Sequence, residues 1–265
     1  MKIKHNVRDI LIFLFSLLGI SWCYRKCIRR GPLVRVVAFH DVPDGEWFES
    51  TITTLKDKFH LITPAEFYTK KFHTKKINIL ITFDDGYQSW VDTALSVLRT
   101  HGVTALFFIN SGLIDTATNG TDTDTFMRER LRISPKKALS WEGVTSLHDA
   151  GHTIGGHTQS HPNLANLSPE EIFQEIKNDK KNIEEKLRIT VTDFAYPFGT
   201  KKQIPEGIAT SVERAGYTRA YTAMSGFVGS DETFMIPRMC IESDITPRAL
   251  TRWILGAYDL FGMMK

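Results

Sequence analysis

Short apolar runs rich in β-branched residues recur along this chain, and most are followed by a stretch with helical spacing. That alternation leaves few folds open, because strands joined by crossover helices pair in parallel and are covered on both faces. Residues 33–39 (Leu-Val-Arg-Val-Val-Ala-Phe), 77–83 (Ile-Asn-Ile-Leu-Ile-Thr-Phe) and 103–109 (Val-Thr-Ala-Leu-Phe-Phe-Ile) are predicted strands. Shorter strands are expected at 152–155, 192–195 and 218–222. Helical patterns fill the gaps at 46–58, 88–100, from Ser140, and at 168–188, 205–215 and 247–262. Thr63-Pro64 and the capping box Ser168-Pro169-Glu170-Glu171 mark helix starts. Residues 111–138 are polar and read as a long surface loop rimming a site. About seven strand–helix pairs in one stretch suit an α/β architecture of the irregular (β/α) barrel kind. A doubly wound sheet is the alternative.

The N-terminus is a separate problem. Residues 10–24 carry no charge, follow Lys2, Lys4 and Arg8, and precede the basic cluster at 25–30. This is the pattern of a signal or an anchor. The run is short for a span of about 20 apolar residues, yet Ser21-Trp22-Cys23 offers no small-x-small cleavage site. An uncleaved membrane anchor over 1–30 is therefore favoured over a cleaved signal, with 31–265 as the catalytic domain in the cell envelope. Basic residues flank both ends, so orientation is left open.

Composition narrows the partners. Net charge is only +3, and much of the basic charge sits beside the apolar run rather than in a stripe on the folded part. That argues for lipid headgroups and against nucleic acid. Three cysteines, Cys23, Cys27 and Cys240, do not make a disulfide framework.

Chemistry-bearing residues cluster where strands end. Thr82-Phe83-Asp84-Asp85-Gly86 places two adjacent carboxylates after an apolar strand. A polar turn would look the same. A metal ligand beside a base would also explain the pair, since adjacent like charges need a cation or a proton between their roles. Gly156-His157-Thr158-Gln159-Ser160-His161-Pro162 carries two histidines four apart, which on a helical turn would point the same way and suit one metal ion. Phe194-Ala195-Tyr196-Pro197-Phe198-Gly199 could wall a groove, and the backbone after Pro197 could offer an N–H to an oxyanion. By itself it is a weak signal, and a strand end with a turn is the favoured reading.

In this order and spacing the three clusters resemble the NodB-homology polysaccharide deacetylases, carbohydrate esterase family 4. Residues 82–86 match that family's T-F-D-D-G motif in full, and residues 157–162 match its H-[ST]-x-x-[HK]-P motif in full. The third motif, R-x-P-Y, is met only as Ala195-Tyr196-Pro197-Phe198. The similarity covers most of residues 34–240. It implies a NodB-type barrel with Asp84 as general base, and Asp85, His157 and His161 as ligands of a divalent metal. Zinc is the first expectation, with cobalt, nickel or manganese as alternatives. It also implies that the backbone N–H of Phe198 stabilises the oxyanion.

The chain departs from the family pattern in two places. A histidine acid usually lies near the C-terminus, but here the last histidine is His161. The resemblance is therefore closer to a permuted branch that includes poly-N-acetylglucosamine deacetylases, in which the acid follows an N-terminal strand. His40, in Phe39-His40-Asp41-Val42, fits that place, and a histidine titrating near neutral pH suits the step. His60, His73, His101, His148 and His152 lie in polar or helix-end contexts. The motif arginine is replaced by Ala195, and Arg238 is a candidate to orient Asp84. An ordinary surface arginine is the other reading.

The expected activity is hydrolysis of N-acetyl groups on N-acetylglucosamine residues of a cell-surface polysaccharide or peptidoglycan. The alternative keeps the chemistry but takes a membrane lipid-linked amino sugar, as deacetylase or deformylase. It draws on the anchor and on Trp253, Ile254, Leu255, Tyr258, Leu260 and Phe261 of the C-terminal helix. A non-catalytic glycan-binding module is disfavoured, since it has no need for the second aspartate.

Overall fold

Parallel strands form the frame of the molecule, in the order β7-β6-β5-β4-β3-β1-β8. These are β1 (Val34–Phe39), β3 (Asn78–Asp85), β4 (Leu106–Ile109), β5 (Thr153–Gly156), β6 (Asp193–Ala195), β7 (Arg219–Tyr221) and β8 (Arg238–Cys240). The short β2 (His60–Ile62) pairs with the first half of β3, and β4 with the second half. A parallel bridge from Tyr221 to Ile236, just ahead of β8, brings the two edges together. The sheet is thus a nearly closed parallel-strand barrel, and the doubly wound alternative is set aside. The computed structural model describes residues 15, 17–28, 31–243 and 245–259.

Both faces of the strands are covered, which is why they read as near-continuous apolar runs. Val36, Leu80, Leu106, Phe108, Ala195 and Tyr221 fill the interior. Val37, Ile81, Phe83 and Phe107 face the surrounding helices. Helix Pro169–Leu187 starts on its capping box, and helix Pro64–Tyr68 starts on Thr63 in the same way. Helix Leu95–His101 ends on Gly102 in the left-handed conformation that glycine tolerates best.

Several expectations are corrected. The segment 111–138 is not a loop: it holds helices Ser111–Thr118 and Thr123–Phe126 and a wide helical turn, Met127–Leu131. Its apolar residues are sparse, but Leu113, Met127 and Leu131 form a small buried cluster. The predicted helix 88–100 divides into a wide turn, Trp90–Ala94, and helix Leu95–His101. Strand β3 runs on through Asp84 and Asp85, so these carboxylates belong to the strand and not to a turn. β2 was not anticipated, because three residues are too few to show a period.

At the C-terminus, helix Pro247–Arg252 continues into Trp253–Ala257 and breaks at Gly256, whose φ is 96°. Trp253 and Ile254 are buried in the core, so they are not available to lipid. Leu260 and Phe261 lie outside the described residues. So does most of the apolar run, residues 10–14 and 16, together with residues 29 and 30 of the basic cluster. Helix Ile20–Ile28 is described, and it packs on the domain: Arg25 donates to the Leu255 carbonyl at 2.5 Å instead of facing outward. Among the described residues no helix is long and apolar enough to cross a membrane.

Candidate active site

The C-terminal ends of the strands bring the predicted residues to one cleft of about 480 Å³, shared by His40, Asp84, Asp85, His157, His161 and Arg238. The backbone there departs from ordinary strand and loop geometry. Of seven non-glycine residues with positive φ among those described, Asp85, Thr158, His161 and Phe198 belong to the three motifs. Left-handed backbone at such side chains is unfavourable and persists where surrounding contacts enforce it, a pattern that concentrates at functional sites.

Asp84 continues the interior-facing alternation of Leu80 and Thr82 along β3. Arg238, two strands away on β8 and 1 % exposed, meets it with two bonds of 2.6 Å. The same guanidinium donates to the Thr222 carbonyl and to the Thr82 hydroxyl. Arg238 is therefore not a surface side chain. Burial would raise the Asp84 carboxyl pKa, but the Arg238 charge prevails and holds it below the usual carboxylate range.

Asp85 turns away from Arg238 and towards the histidines. Its Oδ1 lies 3.5 Å from His157 Nε2 and 3.6 Å from His161 Nε2, and its Oδ2 accepts from the Tyr87 hydroxyl at 3.0 Å. The three ligand atoms lie within 4.8 Å of one another, all on buried residues. Each histidine donates from Nδ1 to a backbone carbonyl, His157 to Ala195 at 2.7 Å and His161 to Arg130 at 3.3 Å. That fixes the tautomer and leaves both Nε2 lone pairs facing Asp85. Two imidazole nitrogens and one carboxylate, oriented in this way, fit a divalent ion of the zinc type. Burial pushes His161 down to about 4, which keeps it a neutral donor at pH 7.

The histidine pair does not lie on a helical turn, as its spacing suggested. Residues 157–161 are irregular, and the left-handed Thr158 and His161 bend the chain so that the two rings meet, 5.0 Å apart. The turn is held by Asn110, which donates to the carbonyls of His157 and Thr158.

His40 follows β1 on the same rim, with its carbonyl accepting from the Trp90 indole at 2.8 Å. Beside it, Asp41 accepts from Ser89 and pairs with Lys136 of the helical insertion at 2.5 Å. Phe198 stacks edge-on against His161 at 4.6 Å. Its N–H has no acceptor among the described residues. The next residue must be glycine: a Cβ on Gly199 would come within 2.4 Å of the Ala223 nitrogen.

Asp179 was missed by the sequence reading. It lies fully buried on helix Pro169–Leu187 and accepts the His157 N–H at 2.9 Å and the Ser111 N–H at 2.8 Å. A signal was present, because Ile172, Ile176, Asp179 and Ile183 form one helical stripe with a carboxylate among isoleucines. Burial pushes its carboxyl up to about 7 against the pull of the Ser111 and His157 N–H groups. The part played by the 111–138 insertion was also hidden: it supplies the Arg130 carbonyl that orients His161.

Comparison with known proteins gives the family and the fold. Residues 71–220 match the family model of the polysaccharide deacetylases. A poly-β-1,6-N-acetyl-D-glucosamine N-deacetylase of Staphylococcus aureus is 25 % identical over 210 residues, 78 % of this chain and 70 % of that protein. Among solved structures, the deacetylase PplD of Streptococcus pyogenes, in complex with acetate, superposes with a TM-score of 0.69 at 18 % identity. That match covers 84 % of this chain and 98 % of the other. IcaB from Ammonifex degensii gives 0.64 at 19 % identity, over 86 % and 98 % of the two chains. At these identities the two structures show a shared fold.

Proposed function

The chain belongs to the polysaccharide deacetylase family, a hydrolase acting on N-acetyl C–N bonds, and from that premise we propose that it deacetylates N-acetylglucosamine residues of a cell-surface polysaccharide. The S. aureus relative acts, by its name, on the β-1,6-linked polymer, and that linkage is the first substrate to try here. Peptidoglycan is the second. The observation that carries the reading is the convergence of Asp85, His157 and His161 beside an Asp84 held ionised by Arg238.

In this reading Asp85, His157 and His161 hold a divalent ion, zinc by preference, which supplies Lewis-acid activation of water and carbonyl when bound. Asp84 takes a proton from the attacking water, and Arg238 fixes the direction of its lone pairs. The Phe198 N–H donates to the acetyl oxygen as negative charge develops there. His40 gives a proton to the departing nitrogen. The C–N bond breaks, the water oxygen leaves in acetate, and the sugar keeps a free amine.

Residues 31–265 form the catalytic unit, and residues 1–30 tie it to the cell envelope. Support comes from the uncharged run 10–24 and the basic residues on either side of it. The test is acetate release from a soluble β-1,6-linked N-acetylglucosamine oligomer. Release by the wild type, its loss on chelation and return with zinc, and its absence in Asp84→Asn are expected. Undiminished release by Asp84→Asn would remove the proposed base.

A further inference from the structure

The N-terminal helix sits in a built seat, and the position of that seat has a consequence for the whole molecule. Gly256 breaks the C-terminal helix, and a Cβ there would lie 3.0 Å from the Tyr24 ring. Tyr24 fills this notch and leans on Phe227, with ring centroids 6.3 Å apart. Arg35 closes the other side, its guanidinium 3.8 Å from the Phe227 ring centroid and paired with the buried Asp259. Arg25 adds its bond to the Leu255 carbonyl. The helix is therefore docked, not tethered.

The outer side of this segment is apolar. Leu17 and Leu18 are 69 % exposed, Trp22 57 % and Ile20 38 %, and they are all the exposed large hydrophobic side chains among the described residues. The residues that precede them, Ile10 to Leu14, are apolar too. Lys26 lies over the Trp22 ring at 4.7 Å. The described patch is thus an apolar surface with a cation at its edge, and the sequence on either side adds Lys2, Lys4, Arg8, Arg29 and Arg30. Its chemical complement is an anionic lipid bilayer.

Arg35 stands near the start of β1, five residues before His40, about 16 Å along an extended strand. The seat is thus at the end of the barrel away from the cleft. Resting on the envelope-anchoring reading above, we infer that the barrel stands on an anionic bilayer with its strand N-termini towards the headgroups and its catalytic cleft turned away. A sugar polymer in the surrounding medium reaches that cleft directly. A sugar held in the bilayer by acyl chains would have to climb the barrel, about 20 Å by the length of β3 with the strand tilt of a barrel.

The test uses the full chain with Cys23→Ser and Cys27→Ser. The remaining Cys240 thiol is half-buried in the cleft and burial pushes it up to about 11, so it labels slowly, and a protein without either added cysteine supplies the background. A donor fluorophore is placed at Lys75→Cys, in the exposed loop before β3, or at Lys201→Cys, in the exposed loop after β6. The acceptor is carried on headgroups of phosphatidylglycerol–phosphatidylcholine vesicles. Transfer should be stronger from position 75, by an amount matching a height difference of about 20 Å. Tyr24→Ser, which empties the seat, should collapse the difference while vesicle binding persists, and Gly256→Ala, which crowds the seat from the other side, should do the same. Equal transfer from the two positions, or stronger transfer from 201, overturns the orientation alone. Failure to bind the vesicles overturns the anchoring beneath it.

Discussion

Arg238 and Asp84, 154 residues apart in sequence, face each other through two parallel bonds of 2.6 Å inside the mouth of the barrel. The fork of a guanidinium matches a carboxylate in a way that an ammonium cannot. The pair is buried on both sides, so the energetics are asymmetric. Truncating one partner strands a charge in low dielectric.

Arg238→Met should therefore destabilise the fold by about 3–5 kcal/mol, read from denaturant unfolding. Arg238→Lys keeps the charge but loses the fork, so stability should suffer less. Its kinetic signature is different. The Arg238 charge is what holds the Asp84 carboxyl down against burial, and a weaker hold lets that pKa rise. Since the base works ionised, the acid limb of kcat/KM against pH should move to higher pH in Arg238→Lys. An unmoved acid limb would separate Asp84 from the base role.

Asp179 gives a prediction about the ligands themselves. Its two oxygens each take one backbone N–H, from His157 and Ser111, and so pin the end of β5 to the end of β4. Gly156 leaves no slack there, since a Cβ would sit 2.7 Å from Asp179 Oδ2. Asp179→Asn turns an amide NH2 towards one of those N–H groups and leaves a buried donor unpaired, at about 1–3 kcal/mol. Zinc affinity, measured by chelator competition, should fall about 10–100-fold, the usual effect of losing a partner behind a ligand. An Asp179→Asn protein that binds zinc like the wild type would make Asp179 a packing residue only.

How much of this could be read in advance follows from where the information lies along the chain. Asp84 and Asp85, like His157 and His161, sit in one short motif at a strand end, so each pair is legible by spacing, and the family resemblance implies that the two pairs share a site. Arg238 and Asp179 come from other segments: the closure of the barrel brings β8 next to β1, and the packing of helix Pro169–Leu187 on β5 brings Asp179 up to His157. The insertion 111–138 read as a loop because Thr, Asp and Asn dominate it. Its helices are fixed by caps such as Asp122 and by a few buried side chains rather than by a continuous apolar stripe. The histidine pair was grouped correctly on a wrong backbone: left-handed residues, not a helical turn, bring the rings together.

His152 sets a pH dependence of stability away from the metal ligands. Its Nδ1 accepts the Ala105 N–H at 3.1 Å, and burial, aided by Arg99, pushes it down to about 4. In the unfolded chain a histidine titrates near 6.5. Between these values the unfolded state binds the proton and the folded state does not, so this group's contribution is full above about pH 6.5 and falls as pH drops towards 4. The slope approaches about 1.4 kcal/mol per pH unit at its steepest. His152→Asn keeps an acceptor near Nδ1 but cannot titrate. Denaturant unfolding between pH 7 and 5 should therefore fall less steeply in the variant than in the wild type, and parallel curves would count against a buried neutral His152.

His40 makes the sharpest kinetic distinction, because an acid matters only as much as its leaving group needs a proton. An amide cannot expel an amine anion at neutral pH, whereas an aryl acetate releases a phenolate unaided. His40→Gln should lower kcat for the N-acetylglucosamine oligomer by about 10²–10⁴-fold, the usual contribution of one acid–base group. Acetate release from an aryl ester should fall far less, provided the variant still binds zinc. His40, just after β1, lines the same cleft as Asp84 and Asp85 of β3, which is what the proposed division into acid and base requires. A proportional loss on both substrates would make His40 a residue that shapes the cleft, and the proton for the amine would have to come from another group there.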